Sequence, residues 1–95
     1  MKKDNLISAI VSDTGYSRNA VSTIVESMLT NITFALSRGD KVKLSGFGVF
    51  EPKKRAARTG RNPHTREAVH IPARVLPVFT AGKLLKDAVE KEIEK

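Results

Sequence analysis

The sequence predicts an α+β chain of order ααβββα, with a long basic β-hairpin arm inserted between its second and third strands. Three observations carry this reading. Apolar residues recur at a period near 3.6 up to residue 39, the period changes to 2 after Gly39-Asp40, and the stretch from Glu51 to Val75 is too poor in large apolar side chains to be buried in a compact domain.

Leu6, Ile7, Ile10 and Val11 define one face of a first helix over Lys3 to Thr14, with Asp4 able to cap or complement its first turn and Gly15 as its stop. Ser17 suits the N-cap of a second, longer helix ending at Gly39, whose apolar face runs through Val21, Ile24, Val25, Met28, Ile32, Ala35 and Leu36. The short link at Gly15 and Tyr16 makes the pair an αα-hairpin, a shape used both for plain packing and by helix-turn-helix readers of DNA.

Val42 and Leu44 then alternate with Lys41, Lys43 and Ser45, as in a half-buried strand. Gly46-Phe47-Gly48 supplies a tight turn, Val49-Phe50 begins a second strand, and Phe47 and Phe50 read as core bulk rather than ligand contacts. Arg61-Asn62-Pro63-His64-Thr65 carries turn chemistry, so its flanks can pair as a projecting hairpin with Pro52 and Pro72 at tolerant edge positions. Leu76, Val78 and Phe79 return to the core as a third strand, with Pro77 pointing to an edge or bulge. Thr80 is expected to cap a last helix through Leu84, Leu85, Ala88 and Val89, which the Glu90 to Lys95 tail extends or leaves frayed. The expected division is 1–39 helical, 40–51 and 75–80 sheet body, 52–74 arm, and 81–95 C-terminal helix, all in one domain.

Composition narrows the function. A chain of 95 residues builds a modest private core, so association is a natural further source of stability. With no cysteine and two isolated histidines, neither a disulfide nor a metal site is expected, and no cofactor is implied. The N-terminus lacks a signal-like apolar stretch and no segment is read as approaching the roughly 20 apolar residues of a membrane span, so a cytoplasmic protein with no membrane role is expected. No nucleophile elbow, paired-carboxylate arrangement or GxxxxGK loop occurs, which argues against an enzyme.

The formal charge is +7, from seventeen Lys and Arg against ten Asp and Glu. Between Pro52 and Val75 seven cations face one acid, Glu67, a net +6; the remaining ten cations and nine acids leave only +1. Charge confined in this way points to a polyanionic partner. Lys53, Lys54, Arg55, Arg58, Arg61 and Arg74 on paired strands suit phosphate tracking, with guanidinium groups entering a narrow, negative minor groove. The competing reading is a solvated, solubilising edge. His64 and His70 read as surface residues, with groove contacts as the alternative. Pro63, from turn preferences alone, reads as a rigid turn residue.

The blocks Gly46-Phe47-Gly48-Val49-Phe50, Arg55 to Thr65, and Phe79 to Val89 closely resemble the HU and integration-host-factor family, the resemblance covering nearly the whole chain with the blocks at the family's spacing and no insertion or deletion. The resemblance implies an intertwined homodimer in which helices from both subunits form the base, short sheets form a saddle and two arms hold double-stranded DNA. Val21, Ile24, Met28, Ile32 and Leu36, with Leu44, Phe47, Phe50 and Phe79, are then the dimer and core set. Arg55, Arg58 and Arg61 are the arm contacts it favours most, and Asn62 and Arg66 near the tip are further candidates for DNA contact. Lys83 and Lys86 would reach flanking phosphates, and the helix start over Thr80 to Lys83 would offer backbone donors. It also recasts Pro63 as a wedge that unstacks a base step.

The expected activity is binding and bending of double-stranded DNA with little sequence preference, favouring bent, nicked or flexible sites, in the service of chromosome compaction in a bacterial nucleoid. The alternatives are a site-specific protein similar to integration host factor and a basic scaffold for an acidic partner. Secondary RNA binding stays open, although the arm has no aromatic residue on which single-stranded bases would stack. Two positions depart from the family pattern. Arg66 stands where many members have glycine, at a cost of about 1 kcal/mol if positive φ is required there. Phe34 lies off the apolar face of the second helix, as a chance exposed aromatic or a contact for higher-order packing.

Overall fold

A computed structural model describes residues 1–94 in two compact units, Met1–Phe34 and the chain from Ala35 onward. Lys95, the last residue of the expected tail, lies outside the described residues.

The first unit holds helix α1 (Lys3–Thr14) and most of helix α2 (Arg18–Ser37). Asn5 Oδ1 accepts the Lys2 N–H at 2.8 Å, and Asp4 sits inside the first turn, where its charge complements the helix dipole rather than capping it. The Gly15 N–H closes α1 on the Val11 carbonyl at 2.9 Å, and Ser17 Oγ caps α2 by accepting the Ala20 N–H at 3.1 Å. Arg18 ties the helices together by donating to Ser8 Oγ at 2.7 Å and to the Asp4 carbonyl at 3.4 Å, and Lys3 pairs with Glu26.

Ile7 and Val21 are the buried apolar side chains among the described residues. Of the expected core on α2, Ile32 and Leu36 are only half-buried, and Ile24 and Met28 are 65% and 51% exposed. A single chain therefore does not bury the stripe that its own periodicity marks as apolar. Contrary to the expectation that no segment approaches a membrane span, α2 has a mean hydropathy of 1.2 in an 18-residue window and is long and apolar enough, by length and composition alone, to cross one. Glu26 at mid-helix argues against that use, since a charged side chain at a bilayer centre costs about 2.5–3.5 kcal/mol on insertion scales.

The second unit contains strands β1 (Val42–Leu44), β2 (Gly48–Arg55), β3 (Arg58–Arg61), β4 (Ala68–Ile71) and β5 (Arg74–Ala81), followed by helix α3 (Lys83–Glu94). A three-stranded antiparallel sheet runs β1-β2-β5, and β3 and β4 form a separate two-stranded sheet. Helix α2 ends with the Gly39 N–H on the Leu36 carbonyl and the Asp40 N–H on the Ala35 carbonyl, both at 3.0 Å. Between β1 and β2 the Phe47 N–H donates to the Leu44 carbonyl at 2.9 Å. Gly46, third residue of that turn, has φ +80°, as a type II turn requires.

Phe50 and Phe79 face each other across β2 and β5 with ring centroids 4.6 Å apart, and Phe47 lies 5.7 Å from Phe79. Within the chain Phe47 and Phe79 stay exposed, and Phe50 and Leu44 are half-buried, so this aromatic cluster too is incompletely covered. Thr80 does not cap the last helix. It pairs with Val49 in the ladder, and the chain turns at Gly82, whose N–H donates to the Phe47 carbonyl at 2.8 Å before α3 begins. Pro77 does lie on an edge strand, as one of its two readings has it, but makes no bulge, because it stands opposite Pro52 in an unbroken register. Neither ring has an N–H to give, so this rung must be one whose nitrogens both face the sheet edges.

Candidate nucleic-acid interface

The basic segment is divided between the two sheets. Pro52 to Arg55 completes β2 against β5, and the outer hairpin begins only at Arg58, after Ala56 and Ala57 on one side and opposite Pro72 and Ala73 on the other. Small residues and a proline on facing positions are the signal of this break, which a reading of 52–74 as one hairpin passes over.

Strand alternation distributes the cations on both faces. Lys53 and Arg55 share a face with their partners Leu76 and Arg74, while Lys54 and its partner Val75 share the other. In the outer hairpin Arg58 stands opposite Ile71 and Arg61 opposite Ala68, three residues apart and so on opposite faces. Arg58 therefore has an apolar partner along which its stem can lie, whereas the Arg61 guanidinium donates to the Arg66 carbonyl at 3.2 Å. Ile71 leans across Gly60, where an added Cβ would come within 2.9 Å of its Cδ1.

Arg55, Arg58 and Arg74 come together around a concavity of about 400 Å³ at the break between the sheets, lined also by Ile71, Pro72 and Leu76. Lys53, Lys54, Arg55, Arg58, Arg61, Arg66 and Arg74 are all exposed. Glu51 holds Lys53 and Lys41, each at 3.5 Å. Among the described residues the other arm cations have no ion-pair partner, so most of the segment's charge is unneutralised. Lys83 and Lys86, also exposed, lie on the first turns of α3.

The tip is held by its own hydrogen bonds. The Asn62 N–H donates to the Glu67 carbonyl at 2.9 Å and the Arg66 N–H to the Asn62 carbonyl at 2.7 Å, enclosing Pro63 to Arg66. Asn62 Oδ1 accepts the His64 N–H at 2.9 Å and the Thr65 N–H at 3.4 Å, an Asx turn. Asn62 thus commits its side-chain oxygen to the loop, a role that the turn chemistry of the sequence signals. Pro63 is left exposed at the far end of the hairpin, and Arg66 takes φ +61°.

Comparison with known proteins agrees with this architecture. The family model described as bacterial DNA-binding protein matches residues 1–90. DNA-binding protein HU of Geobacillus stearothermophilus is 49% identical over 90 residues, covering 95% of this chain and all of that protein. HU of Clostridium pasteurianum is 42% identical over 91 residues, 96% of this chain and all of that one. Among solved structures, an Anabaena HU–DNA cocrystal superposes with TM-score 0.88 at 42% identity, covering 94% of this chain and 97% of that one. HU from Thermotoga maritima gives 0.68 at 31% identity, covering 94% and 98%. Matched from its first residue to residue 90, and nearly half identical to HU proteins over their whole length, this chain belongs to the HU family of bacterial DNA-binding proteins.

Proposed function

We propose that this chain is a histone-like nucleoid protein that binds double-stranded DNA with little sequence preference, bends it through the minor groove and acts as a homodimer. The observation that carries the reading is the arm: a two-stranded projection with unneutralised cations on both faces and an apolar, donor-free ring at its tip. Its relative from Anabaena was crystallised with DNA. The family is a DNA-binding one rather than a family of enzymes.

The arm cations would track phosphates and enter the minor groove, where the pattern of acceptors distinguishes base pairs poorly. Selectivity then comes from deformability, and nicked, gapped or bent sites bind best. Pro63 would wedge into a base step, the few kcal/mol of unstacking being offset by the extra contacts on bent DNA. Lys83 and Lys86 would add contacts to flanking phosphates.

A second copy is the natural cover for the apolar side chains that one chain leaves open: Ile24 and Met28 on α2, Phe47 and Phe79 in the sheet, Leu84 and Val89 on α3. The dimer would carry twice the formal +7, drawing the protein to DNA and hence to the nucleoid. The HU identity of its relatives favours this reading over a site-specific one.

A salt-stepped titration on matched intact, nicked and pre-bent duplexes tests it, with the triple variant Arg55→Ala, Arg58→Ala, Arg61→Ala alongside. Tighter binding to distorted DNA is expected. So is a steep salt dependence, made shallower by the triple variant. Indifference to DNA shape with an unchanged variant would leave a basic scaffold in its place.

A further inference from the structure

Arg66 has the one positive φ outside glycine among the described residues, at +61°. A bulky L-residue is strained in that conformation through its Cβ, and such a position persists where the surroundings over-determine it. They do so here. The Arg66 N–H is fastened to the Asn62 carbonyl at 2.7 Å, the Arg61 guanidinium donates to the Arg66 carbonyl at 3.2 Å, and the Glu67 N–H is held by Thr65 Oγ1 at 3.3 Å. All of these bonds use backbone groups of Arg66 or its neighbours, and a glycine would keep every one that involves residue 66. The arginine side chain itself is exposed and has no ion-pair partner among the described residues; even the adjacent Glu67, the arm's one acid, does not engage it. The free protein thus carries a backbone cost with no compensating contact from the side chain that causes it. That side chain is a cation in the same four-residue loop as Pro63, at the far end of the arm.

We propose that Arg66 is a further DNA contact, a tip cation that grips a phosphate, or a minor-groove acceptor beside it, on the far side of the step at which Pro63 acts. The proposal rests on the DNA-binding reading above and extends it: each arm reaches past its wedge instead of ending there. Guanidinium suits the position because it stays charged and presents a planar set of donors to phosphate or to groove acceptors.

Two substitutions separate the side chain from the backbone. Arg66→Gln keeps an L-residue at positive φ and removes the charge; Arg66→Gly removes both charge and strain. Each should lower the slope of log affinity against log salt by about 0.9 per arm, with affinity for intact duplex falling severalfold at low salt. Arg66→Gly should melt at a higher temperature than the unsubstituted protein, whereas Arg66→Gln should not. The protected footprint on DNA should shorten at both ends in either variant. If the unsubstituted protein binds DNA with a steep salt slope and both variants match it in slope and footprint, the tip contact is wrong while the DNA-binding reading stands. If the unsubstituted protein does not bind duplex DNA, the underlying reading fails first.

Discussion

Arg55 and Arg74 stand directly opposite one another on the last rung of the β2–β5 ladder. At that spacing opposite charges stabilise a sheet and like charges repel. Arg58 joins them around the same concavity, and none of the three has an ion-pair partner among the described residues, an arrangement that the proposed phosphate contacts would use. Arg74→Gln should therefore stabilise the free protein, by about 0.2–1 kcal/mol, the range of a single cross-strand pair. It should also weaken duplex binding and lower the salt slope by about 0.9 per chain. Urea melts beside salt-stepped titrations measure both; a variant that lost stability would mean that the two guanidinium groups support the rung instead of straining it.

Phe79 bridges Phe50 and Phe47 yet remains 41% exposed within the chain. An aromatic pair left at a surface contributes about 0.5–1.5 kcal/mol beyond its area, whereas truncating a fully buried Phe costs about 3–5 kcal/mol. The two situations differ by whether a second copy covers the cluster. Phe79→Ala is expected to lose the larger amount, and its melting temperature should fall further on dilution, as mass action requires when folding and association are linked. A loss near 1 kcal/mol, independent of protein concentration, would count against the homodimer.

Elements with strong local signals are legible in the amino-acid sequence itself. The stop at Gly15, the cap at Ser17 and the alternation of Val42 and Leu44 each follow from short-range chemistry, and each stands where the sequence puts it. Thr80 shows the limit. A threonine ahead of an amphipathic run reads as a cap, but the ladder claims it, because β2 is long enough to pair with β5 as far as Ala81. The same long pairing hides the break at Ala56-Ala57, since nothing local says how far β2 stays with β5 before the outer hairpin takes over. Arg66 departs from the family pattern in sequence, and its positive φ is the conformation that a glycine at that position implies. The loop role of Asn62 is legible in the turn chemistry of Arg61 to Thr65, but that the turn claims the oxygen first is not, because an Asx turn and a DNA contact ask for the same side chain.

Gly48 is the tightest approach in the sheet. A Cβ there would lie 2.5 Å from the far edge of the Phe79 ring, which can swing aside, and 2.6 Å from the Thr80 carbonyl, which cannot withdraw without moving β5. Gly48→Ala should thus cost at least the roughly 1–3 kcal/mol typical of overpacking. Thermal unfolding of the variant checks the figure, and an unchanged melting temperature would mean that the Thr80 carbonyl does not approach Gly48 this closely in solution.

Glu26 accepts a hydrogen bond from Lys3 and adds a favourable charge, and both hold the Lys3 ammonium above its ordinary value of 10.5. Because the folded state binds this proton more tightly than the unfolded chain, the stabilisation is complete below the unfolded lysine value. It is lost as pH rises through the folded one. Glu26→Gln should therefore be less stable than the parent at neutral pH, by the small amount typical of an exposed pair, and the difference should close at strongly alkaline pH. Denaturant melts in buffers either side of pH 10.5 test the sign; a gap that widened with pH would reverse it.

The proposed Pro63 wedge would separate binding from bending. Its ring makes no hydrogen bond through nitrogen, and the loop around it is closed by Asn62, Arg66 and Glu67, so Pro63→Ala should leave the tip folded and the arm cations in place. Alanine fills less of a base step and unstacks it less, so the variant should bind intact duplex with a nearly unchanged salt slope but bend it less. Fluorescence transfer between labels at the two ends of a short duplex reads the bend, and a titration in the same buffer reads the affinity. Nicked DNA, already flexible at the step, should rescue much of the lost bending, since the wedge then has little unstacking left to do. Equal bending by both proteins on intact DNA would assign the kink to the arm cations and leave Pro63 as a turn residue.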